Sequence, residues 1–328
     1  MCSGLTLKTQ DDKHLFGRNM DLSYEFGQQV VVVPRKYTFN LKANNDKIEN
    51  KYAIITMATV IDNYPLIADG CNEAGLGVAG LNFPHYASFE KEPVDDKFNL
   101  TPYELPLWLL GNFETVDEVK SELENIELVD IPFNDKVGVS TLHWFISDKT
   151  GKSLVVEKTC EKLNVYDNPV GILTNSPGFD WHMINLNEYI GLKPEQPEDV
   201  KWSNADLHTI GIGAGTKGMP GGAGGVDRFI RLAYIRANTK EPENTELGIS
   251  QFFHMLDYVA APKGSVIEQE NEDYTLYSSC MDLEEGIYYY KSYKSYGINA
   301  VNMHNVDLNS NELYEFGYNK NLNVNKVN

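Results

Sequence analysis

Cys2-Ser3-Gly4-Leu5-Thr6-Leu7-Lys8, the polar Thr9-Gln10-Asp11-Asp12-Lys13, and His14-Leu15-Phe16-Gly17-Arg18-Asn19-Met20-Asp21 follow Met1 without a break. Two runs with alternating apolar side chains, residues 4–8 and 14–19, flank a stretch rich in turn-forming residues, which predicts a β-hairpin. A turn centred near Asp11 pairs residues whose numbers sum to about 22. That register sets Cys2 opposite the Arg18-Asn19-Met20-Asp21 segment, within a residue or two.

The chemistry of this juxtaposition depends on Met1. Its removal ahead of a small residue is expected, and it leaves Cys2 with a thiol and a free α-amine. An α-amine with pKa ~7.7–8.0 is roughly a tenth neutral at pH 7, far more than a lysine, so it is a usable general base. The thiol, with pKa ~8.5, needs a nearby cation to become thiolate in quantity. One residue then holds nucleophile and base together. Arg18 would supply the cation, and Asp21 would orient the amine. The alternatives are that position 2 is merely small, and that Arg18 and Asp21 form an ordinary exposed ion pair.

Further along, residues 28–34 carry four consecutive valines, which suits a strand buried on both faces. Other strand candidates are residues 52–61, 77–83, 142–147, 153–158, 170–174, 274–279, 286–293 and 298–303. Helices are expected at 105–110, after the capping box Thr101-Pro102-Tyr103-Glu104, and at 119–126, after Thr115-Val116-Asp117-Glu118. Three more are expected at 180–190, 227–237 and 249–260. Strands in blocks with helices between them point to stacked sheets under helical layers. The glycine-rich segment 192–225 reads as a long connection, so residues 1–328 are taken as one domain.

Composition narrows the function. A hydrophobic share of 42% with 23% charged residues supplies an ordinary core. The net charge of −19 argues against nucleic acid as a partner. No apolar run reaches the ~20 residues of a membrane span, and no secretory leader is visible, so a cytoplasmic enzyme without membrane insertion is expected. Cys2, Cys71, Cys160 and Cys280 are widely spaced, which fits reduced thiols. The seven histidines form no ligand pair, so no metal is expected. His143, in Leu142-His143-Trp144, reads as a packed strand residue.

Met1-Cys2-Ser3-Gly4-Leu5 and Phe16-Gly17-Arg18-Asn19-Met20-Asp21 resemble the choloylglycine hydrolase family of bile salt hydrolases and penicillin V acylases. The likeness continues in order through Asn72-Glu73-Ala74-Gly75-Leu76-Gly77, Ala79-Gly80-Leu81-Asn82-Phe83-Pro84 and Leu142-His143-Trp144. Leu173-Thr174-Asn175-Ser176-Pro177, Asp227-Arg228-Phe229-Ile230-Arg231 and Tyr274-Thr275-Leu276-Tyr277-Ser278 extend it over nearly the whole chain.

The resemblance implies an α+β fold, the N-terminal-nucleophile αββα sandwich of two antiparallel sheets between helical layers. It implies Cys2 as nucleophile beside Arg18 and Asp21, with the Asn175 side chain and the Asn82 N–H as oxyanion donors and Arg228 as a second arginine. Asn175 would otherwise suit a turn, and Arg228 the first turn of a helix. The Leu-Asn-Phe at Asn82 is similar to bile salt hydrolases, whereas many penicillin V acylases have tyrosine there. Met20, Ile61, Ala68, Phe133 and Val137 match family pocket positions, although core packing would also explain each. The implied substrates are glycine- or taurine-conjugated bile acids, with no cofactor and a homotetrameric assembly. A penicillin V acylase, and a bile-acid-binding protein that keeps Met1, are the alternatives. Burying ~200 Å² of a steroid would contribute roughly 5 kcal/mol before association costs, enough to offset an acidic surface. The departure from the family is the loop 211–225, where glycines replace the aspartate of a more usual Leu-Pro-Gly-Asp, and Asp227 stands where serine is frequent. Read by itself, that loop before a helix hints at phosphate binding, but no Gly-Lys-Ser/Thr is present.

Overall fold

A computed structural model describes residues 1–44 and 46–328. The hairpin forms as expected: strand Cys2–Lys8 pairs antiparallel with His14–Leu22, and Cys2 lies opposite Met20, Gly4 opposite Arg18. On one side Ile172–Leu173 joins Cys2–Lys8, and on the other Asn271–Asp282 joins His14–Leu22, followed by Ile287–Ser292 and Asn299–Asn302. Gly17 permits the contact with Asn271–Asp282, because a Cβ there would sit 2.1 Å from the Ser279 carbonyl oxygen.

The second sheet runs, edge to edge, through Leu163–Asp167, Ser153–Lys158, Leu142–Asp148, Leu76–Asn82, Tyr64–Asn72, Ile54–Ile61, Gln29–Val33 and Tyr314–Phe316, all antiparallel. Its valine run explains the layering. Val30 and Val32 pack between the sheets, whereas Val31 and Val33 pack on the opposite face with helices Leu105–Asn112 and Val116–Glu122. A strand alternates its side chains, so four valines in a row demand two apolar faces. Phe16 of the first sheet meets Phe145 of the second with ring centroids 5.1 Å apart. Helices Gly225–Asn238 and Thr245–Asp257 cover the outer face of the first sheet, giving four layers.

Three local expectations change. The Thr115/Glu118 capping box forms, but its helix stops at Glu122 and Ile126–Leu128 is a short strand. At the first box the helix begins at Leu105 with Glu104 as N-cap and no side-chain cap. The Glu104 carboxylate accepts from the N–H groups of Thr101 (2.8 Å) and Lys42 (2.6 Å) instead, tying two loops together. Strand Tyr64–Asn72, in the middle of the second sheet, was not expected at all; Pro65 and Asp69-Gly70 give it the look of a turn.

Candidate active site

Cys2 is buried at the edge where the sheets face each other, and four segments converge on it. Its N–H donates to Asn175 Oδ1 (2.8 Å), and the Arg228 Nη2 group donates to that same oxygen (2.6 Å). Arg228 Nη1 donates to the Cys2 carbonyl and to Ser3 Oγ. Asn175 Nδ2 in turn donates to the Asn82 carbonyl (2.6 Å), so residues 2, 82, 175 and 228 form one bonded cluster. Arg228 sits in the first turn of its helix, and Gly225 clears its approach, since a Cβ there would press on Ser176 O at 2.9 Å and Asn175 Cβ at 3.4 Å.

Arg18 points between the sheets, on the same face as Cys2 and Met20. Its guanidinium donates to Asn19 O (3.2 Å), to the Gly80 carbonyl, and to Met20 Sδ (3.4 Å). Burial alone would push Arg18 down, yet Cys2, Tyr277, Asp69 and Asp21 outweigh it and hold the group above its ordinary value. Arg228 moves the other way, because burial there exceeds the pull of Asp21 and Cys2. The arginine nearer the sheet interior is thus the more firmly charged.

Asp21 Oδ1 accepts from Thr275 Oγ1 (2.6 Å), while Oδ2 is buried and finds no donor among the described residues. A register shift between Thr275 and Tyr277 lies opposite Met20 and Asp21. This bulge makes Leu276 the extra residue, so that Thr275 reaches Asp21 while Tyr277 turns to Asp69.

Sequence reasoning missed Asp69. This fully buried carboxylate accepts from Tyr277 Oη (2.6 Å), Tyr288 Oη (2.5 Å) and Ser279 Oγ (3.0 Å). Burial raises its pKa against the opposing influence of Arg18 and the three hydroxyls. A second bulge, at Ala68, precedes it. The only hint in the sequence was Tyr277, inside a family-like segment.

The backbone at Asn82 lies past the part of its strand that pairs with Tyr64–Asn72. Phe83 N–H bonds Thr141 O (2.7 Å), so by strand alternation the Asn82 N–H faces the opposite edge, where pairing with Tyr64–Asn72 ends at Asp69 opposite Ala79. The Asn82 side chain accepts from Thr141 Oγ1 (3.0 Å).

The expected pocket residues divide. Met20 lies opposite Cys2, and Ala68, at the bulge before Asp69, packs half-buried against the core that includes both. Ile61 lies at the far end of its hairpin, opposite Tyr64. Phe133 is 7% exposed, its ring 5.4 Å from Tyr64 and 5.5 Å from Tyr103, with Lys42 Nζ 5.5 Å above it. Val137 is half-buried in a turn closed by Asn134. Tyr64 stands five strand residues from Asp69, about 17 Å at ~3.3 Å per residue, so Ile61 and Phe133 lie far along the strand from Asp69. His143 is fully buried, as expected for a packed strand residue.

Among the described residues there is no helix long and apolar enough to cross a membrane and no group of three metal-binding side chains. The loop 211–225 makes no phosphate cradle: Gly211, Gly213, Gly218, Gly221 and Gly224 border open space, and only Gly215, Gly222 and Gly225 are pressed by neighbours.

Residues 2–316 match a family model described as linear amide C–N hydrolases, choloylglycine hydrolase family. The bile salt hydrolase/transferase of Clostridium perfringens (strain 13 / Type A) is 47% identical over 329 residues, with 100% of both chains covered. The crystal structure of the C2A mutant of conjugated bile acid hydrolase from Clostridium perfringens matches with a TM-score of 0.95 at 47% identity, over 100% of each chain. Penicillin V acylase from Agrobacterium tumefaciens shares the fold, with a TM-score of 0.75 at 24% identity over 96% of this chain and 90% of its own. The four-layer architecture is therefore the αββα sandwich of N-terminal-nucleophile hydrolases, and the chain belongs to the choloylglycine hydrolase family.

Proposed function

We propose that this chain is a bile salt hydrolase, which cuts the amide bond of glycine- or taurine-conjugated bile acids with Cys2 after Met1 has been removed. The observation that carries the reading is the bonded cluster of Cys2, Asn175, Asn82 and Arg228 with Arg18 on the inward face beside it. The 47% identity to a bile salt hydrolase/transferase over the full chain supports the substrate class.

The reaction follows from the charges. The Cys2 thiol gives its proton to its own α-amine, and the sulfur, on the face it shares with the Arg18 guanidinium, attacks the amide carbonyl and forms a C–S bond. The oxyanion is held by the Asn82 N–H and by the Asn175 Nδ2 hydrogen that does not bond Asn82 O. As the C–N bond breaks, the Cys2 α-ammonium gives its proton to the departing amine. Water then attacks the thioester while the α-amine takes its proton; the C–S bond breaks as that proton passes to the sulfur, and the released bile acid ionises to its carboxylate in solvent. Asn175 Oδ1, which accepts from the Cys2 peptide N–H while Met1 is attached, and Asp21 Oδ2, which has no donor among the described residues, are the acceptors that orient that amine. Met20, Ile61, Ala68, Phe133 and Val137 line the apolar path for the steroid. No cofactor takes part.

Because the cluster draws on residues from 2 to 228, residues 1–328 work as one unit. The same reading carries a cytoplasmic location and a homotetramer, the assembly supported by Ile190, Trp202, Ile210 and Ile212, large apolar side chains left exposed. Turnover of glycocholate, taurocholate and penicillin V by one preparation tests the function, with intact mass to establish that Met1 is absent. Hydrolysis of both bile salts well above penicillin V is expected. Preference for penicillin V, or activity in chains that retain Met1, would overturn the reading.

A further inference from the structure

Each of the two carbonyl groups that bracket the Asn175 side chain receives a hydrogen bond from a buried histidine. His143 Nε2 lies 3.1 Å from Thr174 O, and His182 Nε2 lies 2.9 Å from Asn175 O. The rings are mounted alike. His143 stacks on Phe83 with centroids 4.4 Å apart and planes at 6°, and His182 stacks on Phe229 at 4.4 Å and 13°. Phe83 directly follows Asn82, and Phe229 directly follows Arg228. Each histidine therefore ties the Asn175 backbone to the neighbour of another cluster member.

Both rings are themselves fixed. His143 Nδ1 lies 3.0 Å from Glu157 Oε1, an oxygen that also accepts the Phe179 N–H at 3.1 Å. His182 Nδ1 is buried without a partner among the described residues, so the hydrogen of the neutral ring resides on Nε2, where Asn175 O accepts it. Burial pushes the His182 pKa down to about 4, which keeps that ring neutral at working pH. Core packing alone would account for two buried rings. It gives no reason for both to donate to the carbonyls of residues 174 and 175.

We propose that His143 and His182 are positioning residues for the oxyanion site, fixing the peptide planes on both sides of Asn175 so that its amide and the Asn82 N–H keep the spacing the tetrahedral intermediate requires. Such donors act because they are placed before the charge develops, and looseness of a fraction of an ångström removes that advantage. The inference rests on the oxyanion roles given to Asn82 and Asn175 above.

The test uses the full-length processed enzyme. His143→Phe and His182→Phe keep a flat ring for the stack and delete the donor. Each is expected to lower kcat on glycocholate by about 10- to 100-fold, the scale of a small misplacement, with KM within about twofold. Alkylation of Cys2 by iodoacetamide, which forms no oxyanion, should stay within about twofold of the parent rate. His143→Gln and His182→Gln, which restore an N–H donor, should recover most of kcat. His143→Leu and His182→Leu take the place of any phenylalanine chain that does not fold. Parent-like kcat in a folded Phe or Leu chain would overturn the proposal. So would an equal fall in the alkylation rate, or a loss that glutamine does not mend. Absence of bile salt hydrolysis in the parent chain would instead remove the underlying reading.

Discussion

The floor beneath Cys2 and the arm of residues 192–224 are opposite solutions to placing polar and apolar groups. In the floor, Arg18, Asp21, Asp69 and Arg228 are charged residues at 1% exposure or less, and each side chain is held by hydrogen bonds from or to named atoms. In the arm, Gly215 alone is buried, the hairpin of Val200–Trp202 with Ala205–Leu207 is exposed throughout, and Ile210 and Ile212 stand in solvent. Buried charge is costly unless it is paired and hydrogen-bonded, so its presence in the floor marks chemistry. Exposed apolar side chains gathered in one segment mark contact with another surface.

If the floor carries the chemistry, changes there should dominate turnover. Cys2→Ala removes the proposed nucleophile and, by analogy with other nucleophile deletions, should lower kcat by on the order of 10⁴-fold or more. Circular dichroism and steady-state assays on one preparation check it, and substantial turnover by that chain would break the assignment. Asn175→Ala is expected next, with a loss of ~10²–10³ in kcat for a missing oxyanion donor. Its KM should stay near the parent value. A rise in KM alone would turn Asn175 into a binding residue.

Asp69 lies one step further from the sulfur, and its substitution should do less to rate and more to stability. Asp69→Asn offers one acceptor oxygen where two served three hydroxyl donors. A buried tyrosine hydroxyl left without an acceptor costs about 1–3 kcal/mol, to be read from urea unfolding, while kcat should fall by roughly tenfold or less as Arg18 loses its balancing charge. If neither quantity moves, the floor is only one residue deep.

The floor was partly legible in the sequence and the arm hardly at all. The hairpin could be read because a short turn fixes register arithmetically, and Cys2 opposite Met20 fell within the expected window. The valine run declared two packed faces. Asn175 and Arg228 came through resemblance, since nothing local distinguishes an asparagine before Ser176-Pro177 from any turn residue. Asp69 was hidden because an Asp-Gly pair in a strand imitates a turn, and its purpose depends on two bulges that only three-dimensional pairing reveals. His143 was recognisable as packed, but its bond to Thr174 O joins residues 31 apart in the chain. The glycines of the arm suggested a ligand loop, whereas five of them border open space.

A pH experiment separates the buried region from solvent-exposed groups. His182 has its pKa lowered from 6.5 to about 4, so the folded chain stays neutral there while the unfolded chain takes up a proton. Stability should therefore fall as pH drops from about 6.5 towards 4, relative to His182→Gln, and the two chains should run parallel above that window. At 1.36 kcal/mol per unit the full difference approaches about 3 kcal/mol. Matching unfolding curves from pH 7 to pH 4 would mean that His182 takes up its proton in the fold as readily as in water.

The smallest effect on turnover is expected in the arm, and it sharpens the contrast most. Trp202→Ser with Ile210→Ser and Ile212→Ser removes three exposed apolar side chains from a segment that is tied to itself: Gln196 Oε1 accepts from the N–H groups of Gly213 and Ala214 at 2.8 Å each. Its end is bonded to the helix that carries Arg228, through Arg228 Nε to Ala223 O at 2.8 Å and through Arg231 Nη1 to Gly222 O at 2.7 Å and Pro220 O at 3.2 Å. The substituted side chains have no part in those bonds, so kcat per active site should stay within about twofold of the parent. Their apolar area, at about 25 cal/mol per Å² withdrawn from water, is instead available for contact between copies. Sedimentation should therefore show a shift from the proposed tetramer to smaller species, while glycocholate turnover per active site is preserved. A tenfold loss of kcat with assembly unchanged would make the arm a wall of the substrate path, and the division between a chemical floor and an assembling arm would fail.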